Sequence, residues 1–201
     1  MKRPVKTTRY DARAAFVVAQ NHKGGVTKTT STANLGAMFA EAGRRVLLVD
    51  CDPQANLSEA FGWREDRPGE RLEDLLAHPD AMERYVPPVA VQADVAPRLA
   101  WREQLRLIPA TDALADIAVD LPAIVGAGYE NRLREVLDPL RDQFDVILLD
   151  TPPGRGNLSG MAVLAADGLL IPALAADLDV GAASFTTSPR GRSPICGSSG
   201  C

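Results

Sequence analysis

Apolar and polar positions along the chain fall into two alternating patterns. Ala14–Gln20 (AAFVVAQ) is a short continuous apolar run, fit for a buried strand. Gly24-Gly25 breaks it. Thr29–Ala42 then places Leu35, Met38, Phe39 and Ala42 at the i, i+3, i+4, i+7 spacing of a helix face, and Gly43 supplies a stop. Arg45–Val49 (RVLLV) predicts a second buried strand, ending at Asp50. A short helix is expected over Arg71–Ala77, where Leu72, Leu75 and Leu76 share a face, and a Pro- and Val-rich loop over 86–98. Leu105–Ile108 predicts a third strand, stopped by Pro109, with a helix over Asp112–Val119 behind it. Another helix is expected over Glu130–Gln143, with Leu133, Val136, Leu137 and Leu140 on one face and Pro139 weakening its last turn. Asp145–Leu149 (DVILL) and Gly168–Ile171 read as the fourth and fifth strands. Continuous apolar strands alternating with amphipathic helices imply an α/β fold, a doubly wound, mostly parallel sheet with helices on both faces.

Composition changes this picture little. The 201 residues are 46% apolar and 24% charged, enough apolar content for one sizeable core. The net charge of −4 gives no reason to expect nucleic-acid binding over the whole surface. Residues 1–28, however, hold seven Lys/Arg against the single acid Asp11, so 1–13 reads as a basic arm, either a solvated tail or a contact for DNA phosphates. Ala14–Ala19 is too short for a signal-peptide core, and the apolar region Gly160–Ala176 is interrupted by Asp167 and Pro172, so no membrane helix is expected. Cys51, Cys196 and Cys201 have neither metal-ligand spacing nor the pattern of a disulfide framework, and a cytoplasmic protein is expected. Thr187–Cys201 is dominated by Gly, Pro, Ser and Cys and predicts a disordered tail behind a patterned domain over 14–186.

Three blocks carry candidate chemistry. The first, His22-Lys23-Gly24-Gly25-Val26-Thr27-Lys28-Thr29-Thr30, lies between a buried strand and a helix, the context of a phosphate-binding loop. Glycines there let backbone N–H groups turn inward, and the helix N-terminus adds free donors and partial positive charge. Lys28 is placed to reach the terminal phosphates and the Thr29 hydroxyl to ligate Mg²⁺. The second block, VLLVDCDPQAN (46–56), sets Asp50 and Asp52 just past a buried strand, where a parallel sheet puts its ligands. The third, FDVILLDTPPG (144–154), ends another buried strand at Asp150, an acid able to hold a metal's water shell opposite Thr29.

Together KGGVTKTTSTANLG (23–36), VLLVDCDPQANLS (46–58) and FDVILLDTPPGRGNLSGMAVLAADGLLIPA (144–173) resemble the ParA/MinD family of deviant Walker A P-loop ATPases, above all its ParA-type, Soj-like partition members. The resemblance covers about residues 14–186. It implies an ATP-dependent dimerising switch with slow hydrolysis, Mg²⁺ as cofactor, non-specific DNA as the surface bound by the ATP homodimer, a centromere-binding partner protein that stimulates hydrolysis, and no membrane. It further implies that Lys23 is the signature lysine reaching the partner subunit's nucleotide, and that Gly24, Gly25, Val26, Thr27, Lys28, Thr29 and Thr30 cradle the phosphates. On the metal side it implies Thr29, Asp52 and Asp150, with Asp52 orienting the attacking water, Asp150 acting through water, and Asp50 and Asn56 in support. Septum-positioning relatives carry a C-terminal amphipathic helix, iron-protein relatives paired mid-chain cysteines, and tyrosine-kinase relatives a C-terminal tyrosine cluster; none of these occurs here.

Two departures stand out. The family normally has Gly where this chain has Thr27, a β-branched residue that disfavours positive φ. The likeness also fades around Leu178–Phe185, so a truncated or frame-shifted member is expected, one without the family's later strands, most of its adenine contacts and its DNA-touching basic residues. A remnant that hydrolyses nothing, and a relative serving another cargo, are the competing readings.

Overall fold

The computed structural model describes residues 14–21, 23–64, 71–78 and 103–173. The basic arm, the 86–98 loop, His22, Trp101 and the Gly/Ser/Cys-rich tail lie outside the described residues. Five strands, β1 (Ala15–Ala19), β2 (Val46–Asp50), β3 (Leu105–Ile108), β4 (Val146–Asp150) and β5 (Gly168–Leu170), form one sheet in the order β3-β2-β4-β1-β5, and every pairing is parallel. The helices are α1 (Lys28–Glu41), α2 (Asn56–Ala60), α3 (Leu72–Ala77), α4 (Ala113–Val125), α5 (Arg132–Leu137) and α6 (Asn157–Ala165).

Strand β2 shows why the continuous apolar runs were the right signal, since all five of its residues are buried. Val46 and Leu48 face one core with Leu57, Phe61 and Trp63, beneath α1 and α2. Leu47 and Val49 face the other, with Leu76, Leu114, Leu133 and Met161 from α3–α6. A sheet covered on both faces has no polar side to alternate with. Helix α1 lies close on the sheet because Gly36 has no side chain: a Cβ there would stand 2.7 Å from Leu48 Cδ2.

Element limits follow the sequence reading except where a local partner overrides propensity. Helix α4 was expected to end at Val119 but continues through Pro122 to Val125. Proline removes the N–H that would bond the carbonyl four residues back. That carbonyl, Ala118 O, instead accepts from Asn157 Nδ2 at 3.1 Å. The helix expected over Glu130–Gln143 is divided into a 3₁₀ turn (Tyr129–Asn131), α5 and a second 3₁₀ turn (Asp138–Leu140) that contains Pro139. Helices α2 and α6 were not foreseen. The first has five residues, too few to display a period, and the second is small and apolar around most of its circumference, so neither shows a distinct face.

At the N-terminal end of the strands, buried Arg141 ties three segments together. Its Nη1 donates to Ala14 O and to Asp167 Oδ2, both at 2.7 Å, and its Nε to Asp138 Oδ1 at 2.8 Å. The guanidinium stacks 3.6 Å from the centroid of the Phe16 ring. Asp167 Oδ2 also accepts from Phe16 N at 3.0 Å, which sets the start of the β1–β5 pairing. Burial pushes the Asp167 carboxyl up, but the hydrogen bonds from Arg141 and Phe16 outweigh it and hold the group below the usual carboxylate range.

Two outcomes follow for stability. Gly36→Val forces the Leu48 side chain out of its place and is expected to cost about 1–3 kcal/mol in urea unfolding. Because the Asp167 pKa is lowered on folding, its contribution is present above the unfolded value and lost as pH falls through the folded one. Asp167→Asn is therefore expected to lower the urea midpoint at pH 7, with the gap to the wild type closing below about pH 4.

Candidate functional site

The C-terminal ends of β1, β2 and β4 meet at one edge of the sheet, the place where parallel α/β folds gather ligands. The loop leaving β1 is anchored before it turns. Asn21 Nδ2 donates to Pro172 O at 2.8 Å, and its Oδ1 accepts from Lys23 N at 3.0 Å. Gly25 adopts φ 73° and Thr27 φ 63°, so the backbone reverses twice and delivers its amides to the N-terminus of α1. Nothing lies within 4 Å of a Cβ built on Gly24 or Gly25, which leaves their backbone open to a close ligand. The departure at Thr27 thus falls on a position that does require the left-handed region, a strain of about 1–3 kcal/mol for a β-branched residue.

These residues wall a cleft of about 670 Å³, within the range of small-molecule sites (roughly 300–1,000 Å³). Gly24, Gly25, Val26, Thr27, Lys28, Thr29 and Thr30 line it on one side, and Asp52, Gln54, Asn56, Thr151 and Pro153 on the other. Lys28 is buried, while Lys23 is exposed on the loop just outside the lining. Of the residues singled out from sequence, the structure therefore brings all but Lys23, Asp50 and Asp150 to the cleft surface, with the two aspartates buried at the strand ends beside it.

Three carboxylates crowd this edge. Asp50 and Asp150 are register partners in adjacent strands, both fully buried, and Asp52 is two residues beyond. Asp50 is satisfied: Ser58 Oγ (2.7 Å), Ser58 N (2.9 Å) and Asp52 N (3.1 Å) all donate to it. Burial still raises its pKa to about 6, against the pull of those donors. Asp52 caps its own turn, with its Oδ1 accepting from Gln54 N at 2.9 Å and its carbonyl from Ala55 N at 2.8 Å. Neither oxygen of Asp150 has a hydrogen-bond partner of good geometry. Burial raises it to about 7; the neighbouring Thr29 hydroxyl and Lys28 charge offset part of the rise, and Asp50 and Asp52 add to it. A buried carboxyl with both oxygens orphaned, facing a threonine hydroxyl beside a row of free amides, fits a hydrated divalent cation bound with a polyphosphate. Among the described residues no three His, Cys, Asp or Glu side chains converge into an all-protein metal cage.

Several site features were not legible from sequence. Ala55, with φ 53°, is strained at the head of α2, and nothing in its residue type announces this. Ser58 links Asp50 to the end of β3, because its Oγ also accepts from Ala110 N at 3.2 Å. Thr151 Oγ1 pairs with Ala19 O and the Gln20 side chain, joining β4 to the phosphate loop. Burial and the three adjacent acids push the Cys51 thiol well up, so it is a packing residue and not a nucleophile. His78 is exposed, and Trp63 is buried in the core beneath α2.

Comparison with known proteins agrees with this geometry. Residues 14–184 match the AAA domain family, and the chain belongs to it as a P-loop ATPase of the ParA/MinD type. Over 157 residues the chain is 35% identical to the chromosome partitioning protein ParA of Myxococcus xanthus, covering 78% of this chain and 51% of that protein. It is 40% identical over 159 residues to maintenance of carboxysome distribution protein A of Synechococcus elongatus, covering 78% and 57%. The crystal structure of cobyrinic acid a,c-diamide synthase from Mycobacterium smegmatis with bound ADP and magnesium superposes with a TM-score of 0.67 at 33% identity, over 80% of this chain and 60% of that one. The chain thus spans about half the length of the curated relatives it matches.

Replacing Thr27 by Gly removes the left-handed strain at a small cost in chain entropy. The urea unfolding midpoint is expected to rise by the equivalent of about 1 kcal/mol. An unchanged midpoint would mean that the loop stores no strain at this residue.

Proposed function

We propose that the chain binds ATP with Mg²⁺ and hydrolyses it slowly, as a switch that dimerises in the ATP state and serves the partition of a plasmid or chromosome in the cytoplasm. The observation that carries this reading is a cleft lined by the open backbone of 24–28 and by Lys28, with the two orphaned oxygens of Asp150 buried at the strand end beside it. Amides and ammonium suit a polyphosphate, and the carboxylate with the Thr29 hydroxyl suits its cation. When bound, Mg²⁺ would supply positive charge that offsets the charge of the phosphates.

In this reading Lys28 holds the outer phosphates, Thr30 reaches an inner one, and Thr29 and Asp150 orient the hydrated cation. Asp52 is the one carboxylate among the described residues that line the cleft, so it is the group placed to orient an attacking water. Its oxygen is already engaged by Gln54 N, which favours positioning over strong proton abstraction and hence slow turnover. Lys23, exposed beside the cleft, would serve the partner subunit's nucleotide across a dimer interface. The partition role rests on likeness to ParA-type relatives. Non-specific DNA and a centromere-binding protein are the partners it brings with it. The 40% identity to the carboxysome-distribution protein supports a second reading, the same switch with another cargo. Among the described residues no helix is long and apolar enough to cross a membrane.

Single-turnover phosphate release tests the proposal. Asp52→Ala is expected to keep ATP affinity and lose about a hundredfold in rate, with dimer accumulating in light scattering. Lys23→Ala is expected to keep monomeric binding but to lose both hydrolysis and the dimer. Wild-type release no faster than Asp52→Ala would leave only a non-hydrolysing remnant. ATP-dependent retention on non-specific DNA is expected of the partition reading, and its absence beside intact hydrolysis would favour another cargo.

A further inference from the structure

Thr27 joins properties that rarely occur together. It holds φ 63°, a left-handed conformation in a β-branched residue. It is exposed, and it lines the cleft. Its hydroxyl makes neither a cap to α1 nor any other hydrogen bond to the described residues.

The neighbouring residues fix this arrangement. Val26 before it and Lys28 after it are both buried. The Thr27 carbonyl accepts from Ser31 N at 2.8 Å and so begins α1. With the backbone held on both sides, the side chain is left on the cleft wall with Lys28 and Thr30.

Other threonines show how the fold uses a hydroxyl. Thr32 Oγ1 donates to Lys28 O at 3.0 Å inside α1, Thr151 Oγ1 to Ala19 O at 2.7 Å, and Thr111 Oγ1 to the Glu73 carboxylate. Asn and Asp, the non-glycine residues that visit the left-handed region most readily, do so because their side chains can bond locally. Thr27 makes no such bond, so nothing among the described residues offsets its strain. Its unused O–H stands on the wall where a ligand would lie. Ala55, the other non-glycine residue with positive φ, has no polar side-chain atom and does not line this cleft.

We propose that the Thr27 hydroxyl donates to a phosphate oxygen of the bound nucleotide, so that the loop gains a side-chain contact at the point where its backbone is strained. The inference rests on the proposed ATP site. A hydroxyl carries one donor that rotates to meet its acceptor, and a bond to a charged phosphate oxygen is about twice as strong as one to a neutral acceptor.

The test is calorimetric binding of ADP and of a non-hydrolysable ATP analogue, each with Mg²⁺, to the full chain and to Thr27→Val, Thr27→Ser and Thr27→Gly, with urea unfolding of each protein with and without nucleotide. Thr27→Val keeps the branched shape and removes the O–H. It is expected to unfold at the wild-type midpoint without ligand, to bind both nucleotides about tenfold more weakly, and to gain correspondingly less midpoint from them. Thr27→Ser keeps the donor and is expected to bind within about twofold of the wild type. Thr27→Gly should be the more stable protein without ligand and still the weaker binder, a combination that a purely structural role for Thr27 would not produce. Wild-type affinity in Thr27→Val would overturn the proposal. Tighter binding by Thr27→Gly than by the wild type would overturn it too and make Thr27 an obstruction. A wild type that binds neither nucleotide would overturn the ATP site itself, and this inference with it.

Discussion

Three carboxylates brought out of water at one end of a parallel sheet set the terms for the rest of this molecule. Asp50 and Asp150 are fully buried on neighbouring strands, and Asp52 is nearly so. Desolvating charge at such a spot costs several kcal/mol per ion unless donors or cations compensate it. For Asp50 the fold supplies three donors, two from Ser58 on α2 and one from Asp52 N, which at the same time fix the turn carrying Asp52. For Asp150 it supplies none of good geometry, only a nearby ammonium and hydroxyl, and burial raises its pKa to about 7. A cation arriving with phosphate oxygens would favour its ionised form. The site is thus built in its anionic half and completed by a ligand.

The phosphate loop is the complementary half. Its amides are aligned by left-handed conformations at Gly25 and Thr27, and its entrance is pinned by Asn21 to the chain leaving β5. The two non-glycine residues with positive φ among the described residues, Thr27 and Ala55, stand at the heads of α1 and α2; Thr27 lines the cleft, and Ala55 lies between the lining residues Gln54 and Asn56. Local strain concentrated where a ligand would sit is the arrangement expected when neighbouring packing over-determines a functional loop. Here the packing includes Gly36 against Leu48, which holds α1 close to the sheet, and Ser58 between Asp50 and Ala110, which holds α2.

How much of this was legible beforehand depended on length and context. The strands were readable as short apolar runs, most clearly in β2 and β4, where the sheet is buried on both faces, and Leu105–Ile108 is reproduced to the residue. The phosphate loop and the acids at strand ends were readable because their chemistry is local in sequence. What escaped depended on contacts distant in sequence. No local rule carries α4 past Pro122; that requires Asn157, 39 residues away from the Ala118 carbonyl it satisfies. Helix α2 has only five residues, and the strain at Ala55 has no compositional mark. For Thr27 sequence could pose the question of backbone strain, and only the observed φ of 63° answered it.

The measurement closest to the central claim is a calorimetric titration of the folded chain with ATP, ADP and AMP in the presence of Mg²⁺. If the cleft is a cradle for a polyphosphate and its cation, ATP and ADP bind and AMP binds far more weakly, and chelating the Mg²⁺ weakens the first two. Equal affinity for all three nucleotides, or no heat with any of them from a protein shown to be folded, would contradict the account.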